Sequence, residues 1–293
     1  KNNEMYYLYL KFFKIVLIMV QNVCVLIPSH ICYENQITLL KKTINSLKIQ
    51  TKQVDILLSI SFENEEYRKD FDIDKDDYVF TFISECRRYQ MDHLFQLLHL
   101  TDNYDLVFFC DDDDTFEPER VEMISILYSN CLENKIRNKT PGTLGGFIEI
   151  IDIEPQDAPE YWCYAITPTL LKEFFHRFEQ NFDLLNYDYG DMYFRNFLRL
   201  VNGFTYCSYK FEKPLYHHFK HENSICAKKL YNTERYIRNV IILMTICMYN
   251  IEQILDKIKV FNITEEQLKD FVPELNKIKD FILVLYDKIP KTK

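Results

Sequence analysis

The stretch DLVFFCDDDDTFEPER, residues 105–120, sets four consecutive aspartates, Asp111 to Asp114, directly after five apolar residues, Leu106 to Cys110. A short continuous apolar run of this kind reads as a strand buried on both faces. Adjacent carboxylates repel one another, so a bound cation or full hydration is needed to make the cluster tolerable. The run is therefore either a metal site or a well solvated acidic turn. Calcium-loop spacing is met by Asp111, Asp113, Thr115, Glu117, Glu119 and Glu122. Phe116, however, stands where such a loop needs Gly, and a strand precedes the run in place of a helix.

Working outward, NVCVLIPSH (22–30), VDILLSISF (54–62) and DYVFTFISE (77–85) read as three further buried strands. Apolar residues at helical spacing mark helices over 35–50 and 90–100, and Pro118 among acidic neighbours suits the start of a third over 117–132. Strands alternating with helices imply a mostly parallel sheet with crossover helices, in which ligands bind at the carboxyl ends of the strands. The aspartates occupy one such end. Farther on, 143–152 reads as a strand, 167–178 and 189–203 as helices with Gly203 as a stop, and 204–219 as strand and loop. The segments 233–258 and 264–289 are helical apart from Pro273. This gives an N-terminal extension over 1–21, a catalytic domain over 22–225 and a helical C-terminal extension over 226–293 whose apolar stripes would pack on the domain, form a homodimer or contact a membrane surface.

The composition narrows the function classes. At 293 residues and 47% apolar content the chain is long enough for a large core. A formal charge of −9 argues against nucleic acid as the partner, since phosphate binding needs clustered Lys and Arg. Nine scattered cysteines without a CxxC pair suggest neither a disulfide framework nor a thiolate zinc site, and fit reduced, mostly buried thiols in the cytoplasm. Lys11 and Lys14 break the apolar N-terminus below the roughly 20 residues of a spanning helix, so no transmembrane segment is expected. The natural start is either upstream or at Met19.

The ordered motifs VCVLIPSH, FFCDDDDTFEPER, YGDMYF and YHHFKH, over residues 22–222, resemble those of the GT-A glycosyltransferases, especially the inverting family 2-like enzymes. The resemblance implies an α/β GT-A fold and a metal-dependent transfer of a hexose from a nucleoside diphosphate sugar, a uridine one first, to a carbohydrate or protein hydroxyl. Mn²⁺ or Mg²⁺ would offset the charge developing on the diphosphate. By the same resemblance Asp113 is the metal ligand, with Asp112 and Asp111 contacting the ribose or the metal's waters, or Asp111 the metal itself. Of His217, His218 and His221, His218 is favoured to complete the metal site. Asp191, preceded by Gly190, is the first choice for the base that takes the acceptor proton, with Asp188 second. The bland alternative for both is charge that complements a helix N-terminus.

Arg88 and Gln90, between a strand and a helix, are candidates for the diphosphate, with a surface salt bridge as the alternative for Arg88. Pro28, Ser29 and His30 would line the base and ribose pocket. The chain departs from the family at SISFENEEYRK (59–69), where Glu63 is left to replace the base-contacting carboxylate. Gly146 would allow close approach to the donor sugar, and Trp162 would either stack on sugar C–H groups or pack in the core. Two other readings compete: a nucleotidyltransferase, for which a Gly-rich phosphate loop is missing, and a non-catalytic sugar-binding protein on a transferase fold.

Overall fold

The computed structural model describes residues 20–69, 71, 78–137, 145–151, 160–179, 182, 185–186, 190–201 and 204–219. Met19, Asp188, Gly203, His221 and the segment 226–293 lie outside the described residues. The chain divides into two compact units, one made of Lys1–His176 with Gly203–His218, the other of Arg177–Asn202 with Phe219–Lys293.

The first unit holds a seven-stranded sheet in the order β3-β2-β1-β4-β7-β6-β8. Its strands are β1 (Val23–Ile31), β2 (Asp55–Phe62), β3 (Val79–Ile83), β4 (Leu106–Phe109), β6 (Gly146–Ile151), β7 (Tyr164–Ile166) and β8 (Thr205–Lys210). Pairing is parallel except at β7, which runs against both β4 and β6. The architecture is the mixed, mostly parallel α/β sheet expected. Helices α1 (Gln36–Lys48), α2 (Glu65–Lys69), α3 (Gln90–Leu97), α4 (Arg120–Arg137) and α5 (Pro168–Phe178) follow or connect these strands. No helix among the described residues is long and apolar enough to cross a membrane.

Strands β1, β2 and β4 are the buried centre, as their unbroken apolar runs require. The third strand differs from expectation: β3 is the sheet's edge, and Phe80, Phe82 and Ile83 are exposed on it. The third helix also begins later than residue 117, because Thr115–Phe116 forms a short strand, β5, that pairs antiparallel with β9 (Tyr216–His217). The thiols are less uniformly enclosed than expected: Cys24, Cys110 and Cys163 are buried, whereas Cys32 and Cys86 are exposed.

Glycine at 146 has a packing reason. A Cβ there would stand 2.2 Å from the Thr205 carbonyl oxygen, on the β8 residue opposite it. The space the sequence reading reserved for a donor sugar is thus taken by the neighbouring strand. Gly146→Ala should destabilise the fold by about 2–3 kcal/mol through overpacking, read as a lower midpoint in thermal or urea unfolding.

One buried polar face, on α1 and just past its end, fixes the acidic run. Thr43, Ser46 and Gln50 share a side of the helix by their spacing. The Thr43 hydroxyl lies 2.7 Å from the Asp114 carbonyl, the Phe116 amide donates to Ser46 Oγ at 3.2 Å, and Gln50 Nε2 donates to the Glu117 carbonyl at 2.9 Å. Gln50 Oε1 accepts from the Val121 amide at 3.1 Å. Side chains here do for an irregular backbone what a ladder does for a strand, so its buried donors and acceptors are met.

In the second unit, α6 (Gly190–Leu200) buries Tyr193, Phe194, Phe197 and Leu198. Phe178 meets Tyr193 edge-on at 5.5 Å, and the Arg177 guanidinium lies 5.4 Å from the Phe197 ring centre.

Candidate functional site at the carboxyl ends of the strands

The four aspartates leave β4 at the end where β1 and β2 also finish. Different elements hold Asp111, Asp112 and Asp114. Asp111 Oδ1 accepts from Tyr161 OH at 2.5 Å and from Gln90 Nε2 at 3.1 Å, so α3's first residue reaches the run. Asp112 Oδ2 accepts from Ser29 Oγ at 2.5 Å and Gln36 Nε2 at 2.9 Å, which ties it to β1 and α1. Asp114, fully buried, accepts from Tyr216 OH at 2.5 Å and faces His218 Nδ1 at 3.2 Å. Asp113 stands half-buried between Asp112 and Asp114.

The cluster is electrostatically strained. Burial, then the charges of Asp114 and Asp113, push the Asp111 carboxyl well above the usual range. Burial and the neighbouring Asp113 push Asp112 up to about 7. The hydrogen bond to Asp114 raises His218, with burial opposing it. Among the described residues no three His, Cys, Asp or Glu side chains form a ready-made metal cage. The donor set nevertheless suits a hard divalent cation of the Mg²⁺ or Mn²⁺ kind, which takes few protein carboxylates and keeps positions for phosphate oxygens.

The two adjacent histidines part company. On β9 and just after it, His217 points to Glu117 at 2.6 Å, whereas His218 reaches Asp114. Hydrogen bonds from His217 and Lys213 hold the half-buried Glu117 carboxyl below its ordinary value. The β5–β9 ribbon is what carries Tyr216 and His218 to the run.

Other candidates are placed as follows. His30 bridges Ser61 and Glu63, at 2.8 and 2.9 Å. Ser29, expected in the nucleotide pocket beside Pro28, donates its hydroxyl to Asp112. Arg88 is engaged within its own segment, donating to Ser84 Oγ at 2.6 Å and to Asp92 at 2.8 Å. Trp162 is buried, with its indole flat on Tyr216 at 4.1 Å and 6°, so packing uses that face. Asp191 lies in the first turn of α6, in the second unit.

Several residues of this neighbourhood went unnoticed in the sequence. Tyr161 and Tyr216 hold Asp111 and Asp114. Arg120 is buried between the Phe116 and Tyr216 rings, 4.8 and 5.1 Å from their centres, and donates to the Trp162 carbonyl. His93 is buried and bonds both Ser59 and Ser61. The alternation of Ser59 and Ser61 inside an otherwise apolar strand was the available signal for it, because a period of two places both on one face.

No protein-family model matches the chain, and no curated protein matches it. Among solved structures, S. aureus TarS 1–349 in complex with UDP-GlcNAc aligns with 77% of this chain and 66% of its own, at 13% identity and a TM-score of 0.46. A crystal structure of S. aureus TarS aligns over 76% of this chain at 12% identity and a TM-score of 0.45. The mannosyltransferase PcManGT from Pyrobaculum calidifontis, in complex with GDP-Man and Mn²⁺, aligns over 75% at 11% identity and a TM-score of 0.46. This chain spans 39% of that TarS chain and 62% of the mannosyltransferase.

Proposed function

We propose that the chain is a metal-dependent inverting glycosyltransferase of the GT-A type, moving a hexose from a nucleoside diphosphate sugar, uridine first, to a carbohydrate or protein hydroxyl. The observation that carries this reading is the gathering of Asp111–Asp114 with His218 and Gln90 at the carboxyl end of a parallel sheet, where such folds take ligands. Asp113, His218 and Asp111 would hold a divalent cation, which when bound offsets charge developing on the leaving diphosphate.

The chain's own residues have distinct tasks in this scheme. Tyr161 and Gln90 fix the Asp111 carboxylate, and Tyr216 with His218 fixes Asp114. Asp112, tied to β1 and α1, braces the loop. Pro28, His30 and Glu63 would border the base. Asp191 would take the proton from the acceptor hydroxyl as its oxygen attacks the anomeric carbon from the side opposite the diphosphate.

Calorimetry with uridine, guanosine and thymidine diphosphate sugars, in Mn²⁺ and in chelator, tests the donor site. Metal-dependent binding of one of them is expected, and binding of none would sink the reading. Asp191→Asn should keep donor binding while turnover falls by about a hundredfold or more. Unchanged turnover in that variant would remove Asp191 from the scheme.

A further inference from the structure

Behind the strand ends runs a chain of hydrogen bonds that the acidic site does not use. Ser59 Oγ lies 2.8 Å from His93 Nδ1, and His93 Nε2 lies 3.0 Å from Ser61 Oγ. Ser61 Oγ in turn lies 2.8 Å from His30 Nδ1, and His30 Nε2 lies 2.9 Å from Glu63 Oε2. Ser59, Ser61 and His93 are buried, and Glu63 is half exposed.

The direction of every bond follows from the outer end. An ionised carboxylate only accepts, so His30 Nε2 carries the hydrogen toward Glu63. In a neutral ring the other nitrogen then accepts, and Ser61 must donate to His30 Nδ1. Ser61 has a single hydrogen, so it accepts from His93 Nε2. His93 Nδ1 is left bare and accepts from Ser59. One assignment satisfies all four bonds, and each of its hydrogens points toward Glu63.

A single proton reverses it. If His30 becomes doubly protonated, its Nδ1 donates to Ser61, which frees the Ser61 hydrogen for His93 Nε2; His93 accepts it by carrying its own hydrogen on Nδ1, donated to Ser59. The buried His93 ring changes tautomer without ever taking a charge.

We propose that His93 is a positioning residue: its hydrogen bond to Ser61 matches, and so reinforces, the His30 tautomer that the Glu63 carboxylate selects, and Glu63 is thereby presented to a ligand as a pre-set acceptor. Among the described residues Glu63 Oε2 takes both His30 and, at 3.9 Å, Arg87, leaving Oε1 for an N–H donor of a bound ligand. The charged groups around the pair support the neutral state. Burial lowers His30, with the Glu63 hydrogen bond raising it and Arg87 lowering it, and burial lowers His93, with the His30 and Arg88 charges adding. The link to nucleotide recognition rests on the function proposed above; the tautomer coupling does not.

The test is long-range ¹H–¹⁵N correlation of the imidazole rings in the ¹⁵N-labelled full chain, with His93 identified by its loss in His93→Gln. Both rings should show Nε2–H near neutral pH, and His93 should switch to Nδ1–H in step with the titration of His30. In Ser61→Ala the switch should no longer follow. Exposed Glu63→Gln, which removes the one-way acceptor without touching the core, should let the His93 tautomers mix in the otherwise native chain. A His93 ring that keeps one tautomer through the His30 titration overturns the coupling, as does a switch that persists in Ser61→Ala.

Binding of uridine diphosphate should weaken about five- to tenfold in Ser61→Ala, the scale of one hydrogen bond. Affinity unchanged after the switch is lost would overturn the positioning role. A wild-type chain that ignores uridine diphosphate counts against the transferase reading, while the ring spectra still decide the coupling.

Discussion

Asp113→Ala should abolish metal-dependent binding of the sugar nucleotide and lower transfer by about a hundred- to a thousandfold, the scale of removing one electrostatic group from a preorganised site. The same substitution should make the metal-free chain more stable at neutral pH, by about 1 kcal/mol. These opposite signs have one cause. Asp113 is among the groups that push the Asp111 and Asp112 carboxyls up, so removing its charge relieves both. On the function proposed above, four carboxylates stand together to hold a cation, although the metal-free fold would be easier without one. Asp111 and Asp114 are poorer choices for the test, because each accepts from buried or partly buried donors that its loss would strand. Urea unfolding in chelator, beside calorimetry in Mn²⁺, measures the two effects. An Asp113→Ala chain that is less stable, yet still binds donor with metal, would mean that the aspartate braces the loop and another group holds the cation.

The strand-end position of the aspartates was legible because a buried strand and a carboxylate run are both local patterns. The same holds for β1, β2 and β4, whose apolar runs are uninterrupted. What escaped depends on partners far along the chain. Strand β3 has an apolar sequence like its neighbours, and only the strand order makes it an edge. Strand β7 is three residues long, too short for periodicity to register, yet it sits between β4 and β6 and reverses the sheet. The two-residue ribbon of Thr115–Phe116 with Tyr216–His217 is likewise invisible in sequence, although it decides which histidine meets the aspartates. Residue type alone suggests close approach to a donor sugar at Gly146 and leaves Trp162 open between a sugar contact and the core. Their surroundings, the Thr205 carbonyl and the Tyr216 ring, give each a packing reason.

His93 should make the fold acid-labile in a way that one substitution can isolate. Burial pushes its imidazole from 6.5 down to about 3, so the folded chain keeps it neutral where the unfolded chain would protonate it. Between those values the unfolded state binds the extra proton. Stability contributed here is therefore whole above about pH 6.5 and is lost as pH falls toward 3. At about 1.4 kcal/mol per unit the full loss amounts to about 4–5 kcal/mol. Asp112 works in the opposite direction: its folded value, raised to about 7, favours the folded chain as pH falls from 7 toward 4. The two partly cancel, so the wild-type acid midpoint alone reveals little. The difference between wild type and His93→Gln removes the carboxylate contribution, which both chains share. Glutamine can accept from Ser59 and donate to Ser61 but cannot titrate. At pH 7 the variant should be the less stable chain by about 1–2 kcal/mol, for imperfect packing. By pH 4.5 the gap should close and then reverse, because only the wild type has a ring at position 93 to protonate on unfolding. Urea melts at half-unit intervals from pH 7.5 to 4.5 measure the gap directly. A gap that stays constant over that range would mean that His93 is not held neutral by the fold, and that the buried serines accommodate a charged ring.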